Sequence, residues 1–174
     1  MNIGNLIAGN LCSLLAMIAD SISSTQKTAK RVLLVQTLGQ VIYCISGIVL
    51  KGYSGAAQNA VSILRNLIAI KNINSKAVEW TMVVLGVVLG ICCNNLGWVG
   101  FLPIVGNLQY TLAVFRFKDN ERALKISFLF SVAMFTLFNC WIYNIVGVAS
   151  NLVIFFTTLI FVIKTRPKKS ETAD

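Results

Sequence analysis

Four asparagines stand inside long stretches of apolar residues, where an amide is costly unless it finds a partner. They are Asn10, Asn59, Asn107 and Asn151, and each falls near the middle of a run long enough for one helix. An amide offers donors and an acceptor, which suits a neutral polar solute with hydroxyl or amide groups. Amides of this kind also bond helices to one another in membranes. A substrate site and helix packing are therefore both open interpretations.

A single cation, Arg65, is also set within an apolar stretch. It lies about one and a half turns from the end of its predicted helix, shallow enough for its head to snorkel towards water. The alternative is an inward side chain paired with Asp20 or Glu79, which are expected at the same level. In that arrangement Arg65 could act as a gate or meet an anionic group.

Further polar side chains recur at helical spacing near these residues, and neighbours three or four positions apart share one face of a helix. The candidates for lining a cavity are Ser62, Asn66, Thr158, Gln36, Gln40 and Gln109. Small residues on the same stripes, such as Gly55 and Gly147, also permit close packing of helices. The stripes therefore predict either a solute route or a tight interface.

The elements that must position these residues are transmembrane helices. The chain has 174 residues, 56% hydrophobic and 12% charged, with a mean hydropathy of +0.76, whereas soluble domains carry about 25% charged residues. Segments 1–19, 32–50, 80–115 and 126–163 contain no charged residue. About 20 apolar residues cross a bilayer, so the two long segments each hold two helices, with turns predicted at Asn94–Asn95 and at Tyr143–Asn144. The sequence predicts an all-α membrane protein with seven transmembrane helices.

The distribution of Lys and Arg predicts the orientation, because cytoplasmic loops collect both. With seven spans, only Lys51 falls on the other side and Arg65 lies within a helix. The N-terminus is therefore expected outside and the C-terminus in the cytoplasm, which accounts for the basic charge without nucleic acid. Trp98, Trp141 and Tyr143 are expected as anchors at the outer boundary. The basic residues on the cytoplasmic side are Lys27, Lys30, Arg31, Lys71, Lys76, Arg116, Lys118, Arg122, Lys125, Lys164, Arg166, Lys168 and Lys169.

Nothing in the composition indicates catalysis. Histidine is absent, and no paired carboxylates or nucleophile motif stand out. We therefore expect no enzyme activity, no cofactor and no metal. The cysteines lack a CxxC pair and are expected to be buried small hydrophobes; they are Cys12, Cys44, Cys92, Cys93 and Cys140.

The chain also contains an internal repeat. Gly55 and Asn59 recur 92 positions later as Gly147 and Asn151, and the tripeptide Gly-Asn-Leu at 9–11 recurs at 106–108. We interpret these matches as a duplicated three-helix unit, with an extra helix that keeps the two copies parallel in the membrane. The predicted 3+1+3 arrangement divides the single membrane domain 1–174 into a first repeat 1–72, a linker helix 77–93, a second repeat 96–164 and a cytoplasmic tail 165–174.

This architecture resembles the SWEET and PQ-loop (MtN3-like) superfamily of small transporters. Locally, the chain is similar to the YgjV-like family of bacterial inner-membrane proteins in the segments 51–59, Lys-Gly-Tyr-Ser-Gly-Ala-Ala-Gln-Asn, and 63–66, Ile-Leu-Arg-Asn. It departs from SWEET-type chains in having one intramembrane proline, Pro103, and no Pro-Gln pair.

The resemblance implies a multi-pass protein of the bacterial inner membrane that moves a small polar solute, sugar-like or nucleoside-like, by alternating access. Membrane lipids are its expected surroundings, and homo-oligomerisation is open. The alternative function is a non-transporting membrane subunit that binds partner proteins through its lipid-facing surface.

Overall fold

Seven α-helices make up the described part of the chain. The computed structural model describes residues 2–24, 29–71, 73, 75–117 and 120–164. Lys27, Lys118 and the tail 165–174, which the sequence assigns to the cytoplasmic side, lie outside these residues. The helices are α1 (Ile3–Ser24), α2 (Ala29–Val49), α3 (Tyr53–Ile70), α4 (Lys76–Cys92), α5 (Phe101–Arg116), α6 (Glu121–Trp141) and α7 (Ile145–Lys164), and a short 3-10 turn (Gly97–Gly100) precedes α5.

Local sequence explains where several helices begin. Ser75 accepts a hydrogen bond from the backbone N–H of Val78 at 3.2 Å and caps α4. Asn120 caps α6 through the N–H of Ala123 at 3.0 Å. Both caps satisfy N–H groups that a helix leaves free in its first turn. The helices predicted from charge-free segments are thus confirmed as helices.

Within the described residues, four segments are long and apolar enough to cross a membrane. They are Ile3–Ile22, Gly97–Arg116, Arg122–Trp141 and Ile145–Lys164, and α2 contains a shorter apolar stretch, Leu34–Val49. Helix α3 carries Gln58, Asn59, Arg65 and Asn66, which lower its mean hydropathy, and α4 has only 17 residues. The all-helical, multi-pass prediction is therefore confirmed with four spans that meet this criterion.

The helices close into one bundle with two distinct ends. Each helix packs on the next in the chain, α4 lies between α3 and α5, and further contacts join α3 to α5 and α1 to α7. At one end, which we call the turn end, the α2–α3, α4–α5 and α6–α7 connections meet: Asn95 donates to the carbonyl of Lys51 at 2.7 Å, and the rings of Trp98 and Trp141 are 6.0 Å apart. The opposite end, the basic end, carries the described loop lysines and arginines other than Lys51.

The α2–α3 and α6–α7 turns have the same backbone geometry at positions 92 residues apart. Lys51 and Tyr143 adopt left-handed φ values of 58° and 57°. The N–H groups of Gly52 and Asn144 donate to the carbonyl five residues earlier, at 2.7 and 2.9 Å. A hydrogen bond of this kind, together with a residue in the left-handed conformation, is a common C-terminal cap. It satisfies carbonyl groups that the last turn of a helix leaves free. The spacing of the two turns equals the offset between the Gly-Asn matches.

The interior of the bundle contains many polar side chains beside apolar ones, whereas many large apolar side chains are exposed on its surface. Gln58, Asn107 and Thr111 are buried, whereas Leu38 and Val153 are largely exposed. Lipid can cover such a surface but cannot satisfy polar groups, so the polar groups turn inward. The expectation of buried cysteines is wrong for the same reason, because apolar side chains suit the lipid face: Cys92 and Cys140 are exposed, and Cys12, Cys44 and Cys93 are half-buried.

Candidate functional site

A cavity of about 150 Å³ lies between the two groups of three helices. One water needs about 10–15 Å³ of such space, so the cavity holds several waters or a small solute. Helices α1, α2, α3, α5, α6 and α7 line it, and α4 contributes none of the lining residues. The polar lining residues are Asp20, Gln40, Tyr43, Asn59, Ser62, Arg65, Asn107, Tyr110, Ser131, Asn139, Asn144 and Asn151.

The lining is organised in pairs with the sequence offset of 92. A residue of α2 or α3 and its counterpart on α6 or α7 both border the cavity in five cases. These are Gln40 and Val132, Tyr43 and Phe135, Gly47 and Asn139, Asn59 and Asn151, and Ser62 and Ile154. In several pairs one member is polar and the other apolar, so the two halves offer different chemistry to a common space.

Asn59 and Asn151, two of the four asparagines considered for the substrate site, both border this cavity. The Nδ2 group of Asn151 is buried and has no hydrogen-bond partner among the described residues. Buried amides are nearly always paired, so an unpaired one next to a cavity calls for an explanation. The unpaired amide therefore belongs to a residue that borders the cavity.

Asn107 is the hub of a buried hydrogen-bond network between α3 and α5, and it is 3% exposed. Its Oδ1 accepts from Arg65 Nη1 at 2.9 Å and from Ser62 Oγ at 3.2 Å. Its Nδ2 donates to Gln58 Oε1 at 2.8 Å. Gln58 in turn donates to the carbonyl of Gly86 at 2.8 Å, which ties α4 to the same network. Most of the amide is thus used in joining helices, although Asn107 also borders the cavity.

Arg65 points into the bundle and does not snorkel, since only 8% of the residue is exposed. Its Nη1 donates to Asn107 Oδ1 and, at 3.2 Å, to Thr111 Oγ1. The guanidinium carbon lies 4.9 Å from the centre of the Tyr110 ring, within cation–π distance. All three partners belong to α5, because α5 packs directly on α3.

The expected pairing of Arg65 with Asp20 or Glu79 is wrong. Glu79 accepts a hydrogen bond from Arg116 Nε at 2.8 Å. The first turn of α4 and the last turn of α5 meet at the basic end, which brings these two side chains together. Asp20 borders the same cavity as Arg65 but forms no salt bridge with a described residue.

The carboxylate of Asp20 is held close to α2. A Cβ added to Gly39 would lie 2.7 Å from Asp20 Oδ1, so the glycine leaves the room that the carboxylate occupies. Oδ1 is buried and has no hydrogen-bond partner in the described part of the chain. Asp20 therefore presents an unsatisfied acceptor beside the cavity.

Asn10, one of the four asparagines considered for the substrate site, does not border the cavity. Its Nδ2 donates to the carbonyl of Tyr143 at 3.1 Å, and its Oδ1 accepts from the N–H of Val146 at 3.1 Å. It therefore joins α1 to the start of α7 at the turn end. Its sequence counterpart Asn107 instead meets Ser62 and Arg65, further along α3 from that end.

The remaining candidates divide into two groups. Gln40 and Ser62 line the cavity. Asn66 is buried, and Gln36 and Thr158 are half-buried, but none of these three borders it. Gln109 faces α6 and donates to the Ser127 carbonyl at 2.8 Å, so it links two helices.

An apolar cluster of Leu50, Val99, Phe138 and Ile142 lies towards the turn end, and two of its members, Phe138 and Ile142, border the cavity. The Phe138 ring lies against the backbone of α3, and a Cβ added to Gly55 would overlap it. A glycine is thus required for α3 and α6 to approach this closely.

Sequence reasoning missed several lining residues, among them Tyr43, Phe138 and Asn139. The signal that could have found Asn139 is the offset of 92, applied to Gly47 in α2 as it was to Gly55 and Asn59 in α3. No such signal existed for Phe138, because the sequence does not show whether an aromatic residue in an apolar segment faces lipid or the interior of the bundle.

Comparison with curated proteins and with solved structures finds no match. A family model described as "Bacterial inner membrane protein" matches residues 7–169, most of the chain, and so includes all seven helices except the first four residues of α1. The protein is accordingly a multi-pass protein of the bacterial inner membrane. The chain belongs to the Imp-YgjV family of bacterial inner membrane proteins.

Proposed function

We propose that this protein is a small secondary transporter, not an enzyme, that moves a small polar solute by alternating access of two three-helix bundles. The observation that carries the proposal is the polar cavity lined by α1–α3 and α5–α7 with Asn59 and Asn151 on its border. Transporters built from parallel repeats bind their solutes at the interface between the repeats, near the middle of the membrane.

The 3+1+3 arrangement is part of the proposal, and three features support it. The turns at Lys51 and Tyr143 are alike, and the cavity lining is paired at the same offset. The contact between α3 and α5 also has a counterpart in the contact between α7 and α1, as a twofold axis along the membrane normal requires. Helix α4, with its main neighbours α3 and α5, is then the linker. The relation to SWEET and PQ-loop transporters rests on this arrangement.

The proposed orientation has the turn end outside and the basic end in the cytoplasm. In a cysteine-free background, Lys51→Cys is expected to react with a membrane-impermeant maleimide in intact spheroplasts, because Lys51 is exposed at the turn end. Lys71→Cys, exposed at the basic end, is the matched control and is expected to react only after the membrane is opened. Labelling of the Lys71→Cys protein in intact spheroplasts, with Lys51→Cys protected, would show the reverse orientation.

The two asparagines provide the test of transport. In proteoliposomes screened with sugars, nucleosides and amino acids, Asn59→Ala and Asn151→Ala are each expected to weaken uptake by about fivefold or more, as a lost solute hydrogen bond costs about 1–3 kcal/mol. Thermal unfolding should change little, because one interhelical hydrogen bond in a membrane averages about 0.6 kcal/mol.

Asn5→Ala is the matched control, because Asn5 is exposed on α1 and does not line the cavity. Wild-type protein that moves none of these solutes, and that instead captures partner proteins through its apolar surface, would favour the non-transporting membrane subunit. Uptake unchanged in both cavity variants would also count against the proposed site.

A further inference from the structure

The cavity contains two charges of opposite sign that do not neutralise each other. Arg65 and Asp20 are the charged members of its lining, and neither forms a salt bridge with a described residue. Charges buried away from water are costly unless an opposite charge or hydrogen bonds compensate them. A guanidinium does not lose its charge in a protein. A solute that supplies an opposite charge and hydrogen bonds to each of these groups would therefore bind favourably in the cavity.

The geometry of Arg65 leaves donors for such a solute. Nη1 is occupied by Asn107 and Thr111, whereas Nε and Nη2 meet no acceptor among the described residues. The stacked ring of Tyr110 and the two bonds to α5 fix the plane of the guanidinium. A fixed, planar fork with free N–H groups matches the two oxygens of a carboxylate.

The opposite charge lies on α1. The buried Oδ1 of Asp20 has no hydrogen-bond partner in the described ranges, and an ammonium group would supply three donors to it. Asn151, which also lines the cavity, carries a buried Nδ2 group without a partner in the described part of the chain, and the rings of Phe128 and Phe135 form an apolar part of the wall.

From these residues we infer that the solute is a small zwitterion of the amino-acid type, with its carboxylate on Arg65 and its ammonium on Asp20. A neutral sugar can hydrogen-bond to both groups but supplies no opposite charge to either, and a simple anion supplies none to Asp20. The apolar wall suits a hydrocarbon side chain. This inference rests on the proposed transport function and specifies its solute.

The test measures uptake into proteoliposomes of L-amino acids with apolar side chains and of three matched sets: their amides without the carboxylate, their 2-hydroxy acids without the ammonium, and neutral hexoses and nucleosides. We expect uptake of at least one amino acid, with its amide and its hydroxy acid about tenfold or more weaker, the loss expected when a charged hydrogen-bonded pair is broken. This comparison uses wild-type protein and does not depend on any variant folding.

Variants at Arg65 and Asp20 test which group of the solute each side chain binds. Arg65→Gln is expected to weaken amino-acid uptake about tenfold or more, and Arg65→Lys to weaken it less, because the charge remains but the fork is lost. Asp20→Asn is expected to remove the preference for the amino acid over the hydroxy acid. Arg122→Gln is the matched control, since Arg122 lies on α6 and does not line the cavity, and thermal unfolding verifies that each variant is folded.

The outcomes separate the inference from the function that it rests on. Uptake of hexoses or nucleosides without uptake of amino acids would overturn the inference and leave transport standing. Amino-acid uptake that is unchanged in Arg65→Gln would overturn the assigned role of Arg65. No uptake of any solute in the panel would contradict both proposals.

Discussion

Replacing Asn107 by Leu is expected to destabilise the protein by about 2–4 kcal/mol, more than the loss of one ordinary interhelical hydrogen bond. Leu has a similar volume but no polar atom, so Arg65, Ser62 and Gln58 each lose a partner at once. The loss at Arg65 weighs most, because a buried charge without partners costs more than a neutral group. Thermal unfolding of purified protein in detergent, followed by tryptophan fluorescence, measures the change.

Two further variants separate the network from simple packing. Asn107→Asp keeps the acceptor for Arg65 and adds an opposite charge, so it should lose less stability than Asn107→Leu, although Gln58 loses its donor. Val105→Leu changes an exposed residue of the same helix and should have little effect. Equal stabilities of Asn107→Leu and wild type would show that the network does not hold α3 to α5.

A leucine at Gly55 is expected to abolish uptake and to lower stability by about 1–3 kcal/mol, the usual cost of overpacking. Even a Cβ at this position overlaps the ring of Phe138, so α3 and α6 must separate or Phe138 must leave its rotamer. Gly55 also borders the cavity, and the added side chain takes up part of its space. Uptake into proteoliposomes and thermal unfolding are measured on the same preparation.

The double variant Gly55→Leu with Phe138→Ala tests the contact itself. Removing the ring makes room for the leucine, so the pair is expected to be more stable than the sum of the two single changes predicts, with a coupling of about 0.5–3 kcal/mol. Gly4→Leu is the control, because a Cβ there meets only Asn2 Oδ1 at 3.6 Å. Additive effects of the two changes would contradict the packing of Phe138 on Gly55.

The positions of the charge-free segments were sufficient to predict the helices and their approximate ends. Long apolar segments have few structures available in lipid, because backbone groups must be satisfied within the chain. The turns predicted at Asn94–Asn95 and at Tyr143–Asn144 separate α4 from α5 and α6 from α7 in the structure. Helix α3 is less apolar than the other predicted spans. Its residues Asn59, Arg65 and Asn66 were candidates from the sequence, whereas the buried Gln58 was not.

Only part of the cavity lining could be predicted from the sequence. Asn59 and Asn151 could be paired because a repeat offset is visible in the sequence, and both border the cavity. The offset of 97 paired Asn10 with Asn107 equally well, but these two lie at different depths and have different partners. Similarity between residues does not show which neighbours the two side chains meet in the folded bundle.

The sequence by itself determined that this chain is an all-helical membrane protein, where its turns lie and which polar residues must avoid lipid, because these follow from the cost of polar groups in hydrocarbon. Only the tertiary structure decided which partners those residues have. Arg65 meets Asn107 on α5, and Glu79 meets Arg116, since partner choice depends on which helices are neighbours and on how each is rotated. That same packing left Asp20 and part of Arg65 facing one cavity.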